Sequence, residues 1–134
     1  MIQNDGAVIN GSVDIEVSDD AVLTLGKDVN IRPFVSIVCK KRISIGQGTQ
    51  IGPGARIVDF DHALVGLENI AAVGQTKEVV IGKYCWIGAN AVILKGVVLG
   101  DGCVVGAGSV VTRSFNEGSI IVGNPGSVMR SRGI

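Results

Sequence analysis

Branched aliphatic residues recur at every sixth position over most of this chain. Leu25, Ile31 and Ile37 open the series, Ile45, Ile51 and Ile57 follow, then Ile81, Ile87 and Ile93, and finally Leu99, Val105 and Val111. Glycine stands directly after seven of them, at 26, 46, 52, 82, 88, 100 and 106. Four positions beyond the aliphatics the residue is small or modest, as at Val29, Thr49, Ala55, Cys85, Ala91, Cys103 and Ser109. One large inward residue, a glycine beside it and a compact residue further on describe a short strand followed by a sharp turn. Three such units close a triangular coil, so the pattern predicts a parallel β-helix of hexapeptide type. Its coils should stack at about 4.8 Å, each satisfying the backbone of its neighbours. Glycine is expected where the chain turns, because a Cβ penalises positive φ. A β-sandwich would instead show alternating strands with turn signals every 8 to 12 residues or so.

Two interruptions divide the series. Between Ile37 and Ile45 the count slips by two residues, through "CKKRIS", which predicts a small bulge at one corner. Between Ile57 and Ile81 the slip is much larger, and "ALVGLENIAAVGQTKEVV" reads as an excursion from the prism. The organisation expected for residues 1–134 is one all-β hexapeptide-repeat domain. It comprises an irregular first coil over 7–24, regular coils over 25–62 and 81–116, an extruded loop over 63–80, and a C-terminal cap over 117–134 that covers the open stack of strand edges. The third unit of each coil carries Val38, Val58, Leu94 and Thr112 where the first unit always has glycine. That outward, largely apolar stripe predicts a subunit interface, and cyclic association of three prisms is the natural closure.

Composition narrows the partners. Twelve basic residues balance twelve acidic ones, so bulk charge gives no reason to seek nucleic acid or anionic lipid. Neither a secretory leader nor an apolar run of roughly 18 residues is present, which predicts a cytoplasmic chain without a membrane span. Three cysteines without CxxC spacing argue against a disulfide framework and a zinc site. Cys85 and Cys103, 18 residues apart, should stack on adjacent coils as small apolar residues. Only five residues are aromatic and 20 are glycine, so the interior must be thin and aliphatic. The one histidine, His62, ends a coil just before the excursion, which puts it at a corner and not inside.

The segments "WIGANAVIL", "GAGSVVTR" and "GNPGSVMR", in that order within 81–130, resemble the hexapeptide-repeat acyltransferases. The branch they are most similar to is the maltose/galactoside and polysaccharide O-acetyltransferases. The resemblance implies a left-handed parallel β-helix and a homotrimer that binds acetyl-CoA as co-substrate, without a metal, in the cleft between neighbouring subunits. It also implies transfer of the acetyl group to a hydroxyl of a sugar or saccharide, with one histidine as general base. His62 stands where that histidine stands, 24 residues before Trp86. An imidazole with a pKa near 6.5 can take the acceptor's proton and return it to the departing thiolate. Asp59, Asp61 or a backbone carbonyl could hold its other ring nitrogen. For CoA the pattern carries over to Trp86, Ala89, Ala107, Thr112, Arg113 and Arg130, the alanines beside the pantetheine arm and the arginines toward phosphate.

On the acceptor side the chain departs from the sugar-acetylating branch, which tends to place an asparagine where Arg32 stands here. Arg32 could recognise a carboxylate or phosphate on the acceptor, or pair with Asp59 or Asp61. Lys95, where the family often has proline, is expected to change little. Three other readings compete. A non-catalytic β-helix scaffold is one, an amino-sugar N-acetyltransferase another. A trimeric zinc carbonic anhydrase would need three histidine ligands per site, which one His62 per chain supplies only if three subunits share one axis.

Overall fold

A computed structural model of the chain describes residues 1–67, 69–70 and 73–133; Glu68, Ala71 and Ala72 of the predicted loop and Ile134 of the predicted cap lie outside the described residues. The chain winds into stacked three-strand coils. The first holds β1 (Ile2–Asn4), β2 (Val8–Ile9) and β3 (Asp14–Val17); the second β4 (Val22–Leu25), β5 (Asn30–Ile31) and β6 (Ser36–Cys39). The third holds β7 (Arg42–Ile45), β8 (Gln50–Ile51) and β9 (Arg56–Val58). After a hairpin of β10 (Leu64–Val65) and β11 (Asn69–Ile70), the fourth coil has β12 (Val79–Ile81), β13 (Trp86–Ile87) and β14 (Val92–Ile93). The fifth has β15 (Val98–Leu99), β16 (Val104–Val105) and β17 (Val110–Val111), before β18 (Ser119–Gly123) and β19 (Gly126–Ser131) end the chain.

Three parallel sheets form the prism walls. Sheet A runs β1-β4-β7-β12-β15, sheet C runs β17-β14-β9-β6-β3, and sheet B runs β18-β16-β13-β8-β5-β2 with β19 folded antiparallel onto β18. The coil is the left-handed parallel β-helix expected of hexapeptide repeats. All twelve aliphatics of the six-residue series are at most 2 % exposed, and they stack in register, as in Ile31↔Ile51↔Ile87↔Val105. Each such side chain stabilises the fold by roughly 1.5–3 kcal/mol of transfer free energy. The compact column of Val29, Thr49, Ala55, Cys85, Ala91, Cys103 and Ser109 is buried as well. Cys85 and Cys103 are free thiols in this wall. The thiol contact with Cys103, followed by burial, pushes the Cys85 pKa up.

The repeat glycines have a different reason from the one expected. None of the seven has a positive φ; left-handed residues come two positions later, as at Asp28, Gly48 and Tyr84, or Gly54 and Asn90. What the repeat glycines permit is close stacking. A Cβ at Gly46 would lie 2.6 Å from the carbonyl carbon of Gly82 in the coil above. Backbone contact between coils, not turn geometry, excludes a side chain there.

At the corner between sheets C and A, Lys40 and Lys41 absorb the two-residue slip before β7. Asp59, fully buried one coil on, caps this bulge: it accepts N–H bonds from Lys40, Lys41 and Arg42, each at 2.8 Å. The excursion leaves from the same corner as an antiparallel stem. Phe60 pairs with Thr76, the Asp61 and Gln75 backbones bond at 3.0 Å, and Lys77 N–H donates to the Asp59 carbonyl at 2.8 Å.

Candidate active site

His62 is exposed and sits on the excursion stem, where the corner between sheets C and A opens a cavity of about 570 Å³ lined also by Asp61, Val73, Gly74 and Gln75. Its ring meets Phe60 edge-on, with centroids 5.6 Å apart. Of the two candidate aspartates, Asp59 has both carboxylate oxygens engaged by backbone N–H groups in the wall. Asp61 is the exposed one beside the histidine. It accepts the Gln75 N–H at 2.7 Å and pairs with Lys95 at 3.3 Å. That N–H, then Lys95 and the nearby His62 charge, hold the Asp61 carboxyl below its ordinary range. Lys95, expected to be neutral to the site, therefore reaches it. Thr112 borders the same corner, in a cavity of about 290 Å³ shared with Phe60, Asp61, Leu94 and Lys95.

The remaining candidates occupy another part of the prism. Ala89 and Ala107 lie on adjacent coils at the corner between sheets B and C, tied by the Gly108 N–H to Ala89 carbonyl bond of 2.9 Å. Ala89 is half-buried and Ala107 exposed. Among the described residues neither alanine N–H finds an acceptor. Two vacant donors at the coil spacing, with only methyl groups beside them, can bond carbonyls of a ligand lying along the prism. Trp86 projects from sheet B, 60 % exposed. It shares a cavity of about 350 Å³ with Arg32, Asn30, Gln50 and Pro53. Arg32 pairs with neither Asp59 nor Asp61. Arg113 lies at the far end of β17 from Ala107, its guanidinium 4.4 Å from the Phe115 ring centroid. Arg130 is exposed on β19.

The chain thus brings His62, Asp61 and Thr112 together at one corner, and Arg32, Trp86 and the alanine column around another. Asn30 and Gln50 escaped the sequence reading, although they share one register with Trp86 across sheet B. That register crosses both slips in the repeat, and only counting through both would have exposed it. Among the described residues no group of three metal-ligating side chains converges.

Comparison with known proteins agrees with the resemblance. Residues 78–113 match the bacterial transferase hexapeptide (six repeats) pattern. The polysialic acid O-acetyltransferase of Neisseria meningitidis is 32 % identical over 96 residues, 71 % of this chain and 42 % of that protein. Nodulation protein L of Rhizobium leguminosarum bv. viciae is 50 % identical over 86 residues, 64 % of this chain and 45 % of that protein. The chain therefore spans less than half the length of these curated relatives. The crystal structure of a hexapeptide-repeat acetyltransferase from Vibrio cholerae, complexed with acetyl coenzyme A, superposes with a TM-score of 0.82. It is 25 % identical, with 97 % of this chain and 70 % of that one covered.

Proposed function

We propose that the chain is an acetyltransferase that moves an acetyl group from acetyl-CoA to a hydroxyl of a saccharide, with His62 as general base. The observation that carries this is the placement of the chain's one histidine: exposed, at the mouth of a corner cavity, beside an ionised carboxylate. The imidazole takes the hydroxyl proton as that oxygen attacks the thioester carbonyl. Collapse of the tetrahedral intermediate breaks the carbon–sulfur bond, and the thiolate receives the proton. Asp61 orients the ring, while Asp59 holds the corner from which the stem departs. Ala89 and Ala107 offer their N–H groups to the pantetheine carbonyls, with Thr112, Arg113 and Arg130 toward the nucleotide end.

Because the two halves of this machinery occupy different corners of one prism, a working site forms where the His62 corner of one copy meets the Trp86 wall of the next. Three copies related by a threefold axis repeat that seam three times. The acetyl-coenzyme A complex of the Vibrio cholerae relative and the O-acetyltransferase of Neisseria meningitidis support the donor and the class of reaction.

The test follows release of free thiol from acetyl-CoA across a panel of saccharides. His62→Ala should lower turnover about 10²- to 10⁴-fold while calorimetry shows CoA binding unchanged. A His62→Ala variant with wild-type turnover would overturn the assignment of the base, and absence of thiol release with every acceptor would favour a scaffold.

A further inference from the structure

The cavity around Trp86 contains one charged side chain, Arg32, and its described lining holds no carboxylate. Among the described residues the Arg32 guanidinium makes neither an ion pair nor a hydrogen bond. The polar neighbours also face the cavity in a defined sense. Asn10 donates its amide to the Asn30 carbonyl oxygen at 2.8 Å, which leaves the Asn30 NH₂ group as a donor. Gln50 carries a second amide one coil on, in register between Asn30 and Trp86; its NH₂ donates to the Gly48 carbonyl at 3.4 Å, which leaves one N–H and the amide oxygen for a ligand. Gly52, also in the lining, adds no side chain, so the exposed indole of Trp86 and the guanidinium face a common space.

An unpaired guanidinium, amide donors and an open indole face are complementary to one kind of ligand: a sugar ring bearing an oxyanion. The ring's apolar face lies on the indole, amides bind hydroxyls, and the guanidinium takes two oxygens of the anion through its planar fork. Arg32 is exposed, so a neutral sugar would leave it hydrated and gain nothing from it, whereas an oxyanion adds two charge-assisted bonds. We infer that this cavity selects an acidic saccharide, a sugar carrying a carboxylate or phosphate, as the acceptor. The inference rests on the acyl-transfer reading only in calling that ligand the acceptor; the binding preference itself is independent of it.

Trp86 is the chain's single tryptophan, so its emission reports occupancy of this cavity directly. The full chain is titrated with pairs that differ in charge: galacturonic acid and its methyl ester, N-acetylneuraminic acid and its methyl ester, galactose 1-phosphate and galactose. The expected result is a saturable change for at least one acidic member, with binding about tenfold or more tighter than for its neutral partner. Arg32→Gln should abolish that preference and Arg32→Lys should restore part of it. The carboxylate and phosphate pairs identify which oxyanion the site prefers. Equal binding within every pair, no saturable response to any acidic sugar, or a preference that survives Arg32→Gln overturns the inference. Thiol release from acetyl-CoA is read separately. A charge preference without any transfer supports the binding site and sinks the transferase reading, whereas transfer to neutral sugars alone does the reverse.

Discussion

Replacing Asp59 with asparagine removes a buried carboxylate that three backbone N–H groups converge on. The Oδ1 atom accepts from Lys40 and the Oδ2 atom from both Lys41 and Arg42, all at 2.8 Å. Asparagine keeps one acceptor, which settles where two N–H groups converge, and turns its NH₂ toward the Lys40 N–H, so one bond is lost and a donor faces a donor. A buried N–H left without a partner costs about 1–3 kcal/mol. The donor left over is the N–H of Lys40, a half-buried residue, so the full span of that range applies to it. The loss is roughly 1–3 kcal/mol, a sizeable share of the ~5–15 kcal/mol that stabilises an ordinary domain. At about 4 °C per kcal/mol the melting temperature should fall by roughly 4–12 °C. The assay is urea and thermal unfolding at fixed protomer concentration, since association shifts apparent stability. Asp61→Asn is the control: it removes the same charge from an exposed site and should leave the midpoint nearly unchanged. An Asp59→Asn protein as stable as the parent, yet inactive, would refute the reasoning and make Asp59 the partner of His62.

Gly88→Ala puts a Cβ 2.6 Å from the Ala107 nitrogen and 2.7 Å from the Val105 carbonyl oxygen, so the coils must part. The expected loss is about 1–3 kcal/mol in urea unfolding, and an unchanged midpoint would mean the stack is looser than described. Ala107→Phe fills the exposed corner beside the vacant N–H; CoA affinity by calorimetry should drop at least roughly tenfold with the melting temperature unmoved. Cys39, Cys85 and Cys103 are each at most 1 % exposed, and burial together with the Asp59 charge pushes the Cys39 pKa up to about 11. A disulfide reagent at pH 8 should find no thiol in the folded chain and three in urea. Rapid reaction of the native protein would show that the wall opens.

The architecture was legible because a hexapeptide coil is specified by spacing along the chain. Every one of the twelve aliphatics at period six is buried, and the two slips in the count mark the two departures at the corner between sheets C and A. Counting made His62 the last residue of a coil, at its corner, whereas the stem already begins at Phe60 and carries His62 on it. Glycine illustrates the limit of that method: its position was legible but its reason was not. Close approach between coils is a property of two chain segments, whereas a turn is a property of one. Lys95 shows the same limit, since its contact with Asp61 spans 34 positions and the whole excursion.

The sequence by itself determined which residues face inward and at which corner the repeat is interrupted, because these depend on periods of six repeated locally. Only the tertiary structure decided which coil lies on which, and hence that Asn30, Gln50 and Trp86 form one column beside Arg32. It also decided between the aspartates, sending Asp59 into the wall and Asp61 to the surface beside His62. Both carboxylates sit in the same short run of sequence, and what separates them is the corner of the preceding coil, whose three N–H groups capture one and not the other.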